Sequence, residues 1–339
     1  MKIVITGYNT CCLNKSGGVR VRVQKIYELL TKREGVEVEY FCPMTTDLMS
    51  CDVLHLFKLE AEYYNLVVKA KSEGKKVVLS SVVPLQDSAK LEIAKFLNKL
   101  PLLTIYKMQQ QILEQVDCII AETPKEADFI CKHYFVDRRK IRVVPNGIDV
   151  EAYGGDSIYD KIGGKKDYIL QVGLIHENKN QINTIKALKG TGIDVVFIGG
   201  ENNGDMRYWD ICKREAGQDS HFHFLGWVDS KSNLLKSAYA NAKVFVFPSY
   251  KETFGLVALE AAMAGCNLAI SKTLPIHDFH VFDKCWQFDP SDINDMREKI
   301  LSAFSTSKSD ELRNRVIRDF SWDNIIDTHI DIYKSVLQK

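Results

Sequence analysis

The sequence predicts an α/β protein made of two Rossmann-like, doubly wound halves. Three observations lead there. Short apolar runs rich in β-branched and aromatic residues alternate along the chain with stretches of helical periodicity, the pattern of a mostly parallel sheet. The N-terminus reads strand, glycine-containing loop, helix and strand, the order of a mononucleotide-binding half. Residues 243–271, KVFVFPSYKETFGLVALEAAMAGCNLAIS, read as a complete strand, turn, helix and strand far down the chain, and 339 residues suffice for two cores.

The first strand spans 2–7, a polar loop carries Ser16, Gly17 and Gly18, and Val19, Val23, Ile26 and Leu30 recur at helical spacing. The glycine pattern is not GxGxxG, so by itself it suits a tight turn as well as a phosphate loop. Strands follow at 36–41, 52–57, 76–81, 117–121 and 142–145. His55, in DVLHLF, is placed at the end of its strand, either on the ligand side or as a structural residue. Between 90 and 113, Lys90, Lys95, Lys99 and Lys107 are mixed with Leu, Ile, Phe and Tyr. This composition fits a peripheral contact with an anionic membrane surface, or a domain helix packed on its sheet and broken at Pro101 with its lysines in water.

Pro145, Asn146 and Gly147 are turn residues, so the first domain is taken as 1–150 and the second as 151–320. The second opens with a strand at 168–173, the turn LIHENKNQ and a helix at 181–188. Lys179 stands at the N-terminal edge of that helix, where the helix dipole disfavours a cation. An anion is expected to share the place; the plain alternative is an exposed lysine. A strand at 194–198 runs into Gly199 and Gly200, and a helix at 233–242 follows HFHFLGWVD. His221 and His223 alternate on a strand without a carboxylate at metal-binding spacing and read as structural. The tail, 321–339, reads as a Ser-capped helix with Trp322, Ile325, Ile326, His329, Ile330, Tyr333 and Val336 along one side.

Within 243–271, Pro248 stops the strand, a run of helix formers occupies 256–264, and Gly265 suits a left-handed cap. Glu252 lies in the turn and Glu260 inside an otherwise apolar helix, where a carboxylate is costly unless something hydrogen-bonds it. The backbone N–H groups of Phe254, Gly255 and Leu256 begin the helix and form an anion site, and Gly255 admits a ligand close to the backbone. The unit thus offers a diphosphate cradle and two hydroxyl acceptors. The bland alternative makes Glu252 a helix-start acid and pairs Glu260 with a Lys or Arg elsewhere.

PSYKETFGLVALEAAMAGCNLAIS resembles the signature of the retaining glycosyltransferases of family 4, two glutamates separated by seven residues. The resemblance implies the GT-B fold, two Rossmann-like domains facing a central cleft, with the terminal helix 321–339 crossing back to the first. It implies that Glu252 hydrogen-bonds the donor sugar, that Glu260 holds the nucleotide ribose, and that the amides of Phe254, Gly255 and Leu256 meet the diphosphate. Gly17 and Gly18 resemble the family loop near the donor phosphates, PNGID its hinge, and FLGWV its nucleobase loop. Gly173 and Lys179 match a family motif of Gly-Arg-Leu with a following Lys, but Leu174 stands where the phosphate-gripping Arg is expected. A family His is often found in the region of His55; a second, after the next strand, is missing from SSVVPLQD. The candidate catalytic residues are therefore Glu252, Lys179 and His55, with Glu260, Phe254, Gly255, Leu256, Gly173, Gly17 and Gly18 binding the donor.

The implied function is retaining transfer of a sugar from a nucleoside-diphosphate sugar to a glycan or lipid-linked acceptor, in surface polysaccharide or glycoconjugate synthesis. The implied mechanism is same-face substitution, in which the leaving phosphate helps to deprotonate the acceptor. No DxD pair stands at a suitable strand end, and no metal or cofactor beyond the donor substrate is expected. Leu174 and the missing His leave open a catalytically weakened nucleotide-sugar binding protein, and another GT-B enzyme such as an epimerase or phosphorylase is the further alternative. A formal charge of +1 gives no reason to expect nucleic acid. Nine cysteines without a CxxC pair read as reduced thiols, no apolar run reaches membrane-spanning length, and MKIVITGY reads as a strand. A cytoplasmic place, extending to the inner face of the membrane, is expected.

Overall fold

The computed structural model describes residues 1–7, 18–83, 89–97, 103–164, 166–201 and 206–338. The chain divides into two compact units, one of Met1–Gly147 with Trp322–Lys339 and one of Ile148–Ser321. Its helices are α1 (Gly18–Leu30), α2 (Tyr64–Ser72), α3 (Ala89–Leu97), α4 (Ile105–Gln115), α5 (Pro124–Tyr134), α6 (Gln181–Leu188), α7 (Arg207–Ala216), α8 (Asn233–Asn241), α9 (Leu256–Met263), α10 (Ile293–Ser305), α11 (Glu311–Phe320) and α12 (Trp322–Leu337).

The first unit carries β1 (Lys2–Thr6), β2 (Glu37–Tyr40), β3 (Val53–Phe57), β4 (Lys76–Ser80), β5 (Cys118–Ala121) and β6 (Ile141–Val143), all parallel and ordered β2-β1-β3-β4-β5-β6. Its central strands are buried on both faces, as parallel strands must be when helices cover them from both sides. Alternate residues divide between the two covers. Val4, Leu54 and Leu56 share a core with residues of α2, α4 and α5, whereas Ile3, Ile5, Val53 and Phe57 pack with residues of α1 and α12. The amphipathic tail buries Trp322, Ile325, Ile326, His329, Ile332, Tyr333 and Val336 along α12.

The second unit carries β7 (Tyr168–Val172), β8 (Val195–Ile198), β9 (Phe222–Phe224), β10 (Ala242–Phe247), β11 (Asn267–Ser271) and β12 (Trp286–Phe288), again parallel, in the order β12-β11-β10-β7-β8-β9. From β7 the chain first winds outward through β8 and β9, then restarts on the other side with β10. The switch point lies between β7 and β10, and ligands of doubly wound sheets collect outside the carboxyl ends of such strands. The ends of β7 and β8 approach closely: a Cβ at Gly199 would stand 1.9 Å from the Gly173 carbonyl oxygen.

The basic segment, which one reading of the sequence broke at Pro101, forms two helices, α3 and α4, with 98–102 outside the described residues between them, and other elements depart from the sequence reading. The predicted strand at 142–145 is β6 at Ile141–Val143, ending before Pro145, which has no N–H to donate. The sequence reading assigned no strand or helix over 281–320, where the edge strand β12, α10 and α11 stand. The α10 signal was present: Asp292 caps the amides of Asn294 and Asp295, and Met296, Ile300 and Ala303 are buried at helical spacing.

Candidate active site

The site is built from the two loops at the switch point of the second sheet. After β7, Gly173 leads into a short helical turn (Glu177–Lys179), and Asn180, in the left-handed region, starts α6. After β10, residues 248–255 lead to α9. Asn178 binds the two loops together. Its Nδ2 donates to the Lys251 carbonyl at 2.8 Å, its Oδ1 accepts from the Lys251 amide at 3.1 Å, and its own carbonyl accepts from the Tyr250 amide at 3.0 Å. Gln171 Nε2 donates to the Lys179 carbonyl at 2.7 Å, which fixes the turn from beneath.

This bracing brings Lys179 and Glu252 into an ion pair between Nζ and Oε1. Both side chains are mostly buried, 24% and 15% exposed, so their charges are only partly screened. Lys179 Nζ also lies 5.7 Å from the centre of the Phe247 ring, on which a cation is favoured. Gly173 is adjacent: a Cβ there would contact the Lys179 stem at 3.8 Å.

Gly255 precedes α9 with φ of 115°, a conformation open to glycine, and a Cβ there would press to 3.0 Å on the Phe247 ring. Phe254 is itself buried among Phe279 and Phe320, so its ring is structural and its amide is the group it offers. The first turn of α9 leaves amides without helical partners, which with the dipole favours an anion.

One turn along α9, Glu260 is half-buried, and its Oε2 accepts a hydrogen bond of 2.8 Å from the Tyr239 hydroxyl on α8. Burial raises the Glu260 carboxyl above its ordinary range, Tyr239 opposes this, and Glu151 adds to it. The partner of Glu260 is thus a buried phenol, and not the Lys or Arg of the alternative reading.

Sequence comparison joins this geometry to a family. The family model for glycosyl transferases group 1 matches residues 160–319, and that for glycosyltransferase family 4 matches residues 52–152. The chain belongs to the family-4 type of glycosyltransferases. An uncharacterised glycosyltransferase of Methanocaldococcus jannaschii is 26% identical over 74% of this chain and 65% of that protein. The D-rhamnosyltransferase WbpZ of Pseudomonas aeruginosa is 30% identical over 48% of this chain and 43% of its own, and the D-inositol 3-phosphate glycosyltransferase of Mycolicibacterium smegmatis is 30% identical over 46% and 38%. The chain therefore spans between about two-fifths and two-thirds of the curated relatives it matches. The GT-B fold is shared with the sucrose-phosphate synthase of Thermosynechococcus elongatus (TM-score 0.76, 18% identity, 99% of both chains). It is shared also with Anabaena HepE in complex with UDP (TM-score 0.72, 13% identity, 99% of this chain and 100% of that one).

In this family-4 chain, Leu174 presents a 47% exposed apolar side chain where the expected Arg is absent, while its carbonyl accepts from Gln181 Nε2 at 2.9 Å. Gly17 lies outside the described residues, and Gly18 is the first residue of α1.

His55 requires a correction. It is the middle residue of β3, on the face that α12 covers, and is fully buried. Its Nδ1 is 2.8 Å from the Tyr333 hydroxyl and its Nε2 is 3.0 Å from Ser80 Oγ, so both ring nitrogens are occupied inside the first unit. Catalytic contact with substrate is incompatible with that burial. Desolvation pushes the His55 pKa well below its ordinary value and that of its neighbour His329 to about 3, so both are neutral in the fold. Because the unfolded chain binds the extra protons, their contribution falls with pH below about 6.5, by about 1.4 kcal/mol per pH unit for each. His55→Leu orphans two hydroxyls and is expected to lower stability by about 2–4 kcal/mol in urea unfolding, with nucleotide affinity unchanged. A loss of affinity at unchanged stability would return His55 to the site.

Three further histidines are held by partners within the second unit. His221 pairs with Asp219 at 2.8 Å and His223 with Asp194 at 2.7 Å. Each therefore has a carboxylate that sequence spacing did not reveal, in two separate pairs. His277 Nε2 donates to the Ser271 carbonyl at 2.8 Å. Among the described residues no group of three or more His, Cys, Asp or Glu is placed to hold a metal, and no helix is long and apolar enough to cross a membrane.

Proposed function

We propose that the protein transfers a sugar, with retention, from a nucleoside-diphosphate sugar to a glycan or lipid-linked acceptor in surface polysaccharide or glycoconjugate synthesis. The observation that carries this reading is the convergence of Lys179, Glu252 and the first amides of α9 at the switch point of the second sheet, with Glu260 one turn further on. The amides and Lys179 take the diphosphate, Glu260 the ribose and Glu252 the sugar. As the bond from sugar to phosphate breaks, negative charge grows on the leaving oxygens, and a fixed cation with aligned amides stabilises it most at that moment. The positive charge so comes from the chain, and no divalent ion enters the proposed reaction.

The reading extends to an anionic membrane surface at the inner face, where a lipid-linked acceptor would be met. In the first unit Ile93, Leu103, Ile105 and Phe135 are 58–73% exposed. They lie on elements joined by a 2.7 Å contact of Lys95 with His133 and by a hydrogen bond from the Tyr106 hydroxyl to the His133 carbonyl, beside the cations Arg138 and Arg139. Exposed apolar groups near basic residues suit such a surface, although Arg138 and Arg139 already pair with Asp128 and Asp137. Sedimentation with anionic vesicles tests this extension, and absence of binding at low salt removes it.

The test of the activity is release of nucleoside diphosphate from UDP-, GDP- and ADP-sugars, with and without glycan and lipid-phosphate acceptors. One donor is expected to react. Nucleotide binding without transfer or donor hydrolysis would favour the binding-protein alternative.

A further inference from the structure

We propose that Tyr239 is the positioning residue for the ribose-binding carboxylate: its hydroxyl holds Glu260 Oε2 and leaves Oε1 to accept from the vicinal hydroxyls of a nucleoside ribose. The inference rests on the proposed role of Glu260.

Glu260 stands in a helix whose other members are Leu, Val, Ala and Met, and among the described residues its carboxylate receives one hydrogen bond, from Tyr239. The titratable groups that act on it are the phenol of Tyr239 on α8 and, beyond, Glu151 on the connector, which Lys236 pairs at 2.5 Å; Tyr153 lies beside Tyr239, and among the described residues no cation forms an ion pair with Glu260 itself. A half-buried carboxylate that no described cation pairs directly is aimed by the donor that does reach it, here the Tyr239 hydroxyl.

Tyr239 is rigid. It is 1% exposed and packs edge-on to Tyr153 (5.9 Å, 87°) and against Phe245 (5.8 Å). Its carbonyl accepts from Cys266 Sγ at 3.1 Å, and the Tyr168 hydroxyl donates to the neighbouring Ala238 carbonyl at 2.5 Å. Helix, ring and hydroxyl are therefore all fixed, and the phenol spends its one donor on the carboxylate.

The test is a double-mutant cycle with Tyr239→Phe and Glu260→Gln. It is read as the affinity of whichever of UDP, GDP and ADP binds the wild type most tightly, measured by calorimetry from pH 5 to 8. Tyr239→Phe is expected to weaken binding roughly 10-fold in the wild-type background and less than about 2-fold beside Glu260→Gln, since the hydroxyl then has no carboxylate to aim. The hydroxyl also favours the ionised carboxylate, so without it the loss of affinity on acidification should begin at higher pH. A mere loosening of the fold would weaken binding equally in both backgrounds and leave the pH profile in place. Either result overturns the role of Tyr239. If Glu260→Gln binds as tightly as wild type, or none of the three nucleotides binds wild type, the nucleotide-site reading falls and this inference with it.

Discussion

Replacing Lys179 by alanine is expected to lower kcat/KM for sugar transfer by about 10²- to 10³-fold, a loss of about 2.7–4 kcal/mol of transition-state stabilisation. The size follows from the surroundings. Lys179 lies at the switch point, is 24% exposed, and is held from three sides by the Gln171 bond to its carbonyl, the Phe247 ring and the Glu252 carboxylate. Leu174 supplies no second guanidinium from the same turn, so little substitutes for the lost charge. Nucleoside diphosphate affinity should fall while nucleoside affinity holds, because the contact proposed for Lys179 is with phosphate and not with base or ribose. A kcat/KM within about threefold of wild type would remove Lys179 from the mechanism.

Glu252→Gln is expected to lower kcat by roughly 10²-fold or more without weakening nucleoside diphosphate binding. In the free site the Glu252 carboxylate neutralises Lys179, and both partners are mostly buried. Glutamine keeps the shape but removes the charge, which frees Lys179 for the diphosphate and costs the acceptor proposed for the donor sugar. The two substitutions thus move nucleotide affinity differently while both suppress transfer. Calorimetry beside steady-state kinetics separates them. Equal losses of nucleotide affinity in both would indicate that the ion pair only holds the loops together.

Both Rossmann halves were legible because their strands announce themselves as apolar β-branched runs between amphipathic helices. The Glu252 and Glu260 spacing and the displaced cation Lys179 were legible for a similar reason: charged residues in apolar or dipole-opposed places need a partner. What escaped was partnership over long range. VLHLF (Val53–Phe57) is buried along its whole length, so its pattern does not say which face His55 takes; its partner Tyr333 stands 278 residues on. Tyr239 has the spacing of an ordinary core residue with Leu235 and Ala238, and nothing in that spacing reveals a carboxylate 21 residues later. Asn178, which binds the two loops of the site, reads in sequence as one more polar turn residue. The strand β12 is three residues long and carries too little periodicity to be recognised.

The most direct measurement is thermal stability of wild type and Glu260→Ala against UDP, GDP, ADP, CMP and their sugars. A ligand at about 100 times its dissociation constant adds about 2.7 kcal/mol to the folded state, enough to move the melting temperature visibly. One nucleoside diphosphate should stabilise wild type, with the effect lost in Glu260→Ala. No stabilisation by any nucleotide, or an equal response of the variant, would contradict a nucleotide-sugar site at the carboxyl end of β10 and make Glu260 a packing residue.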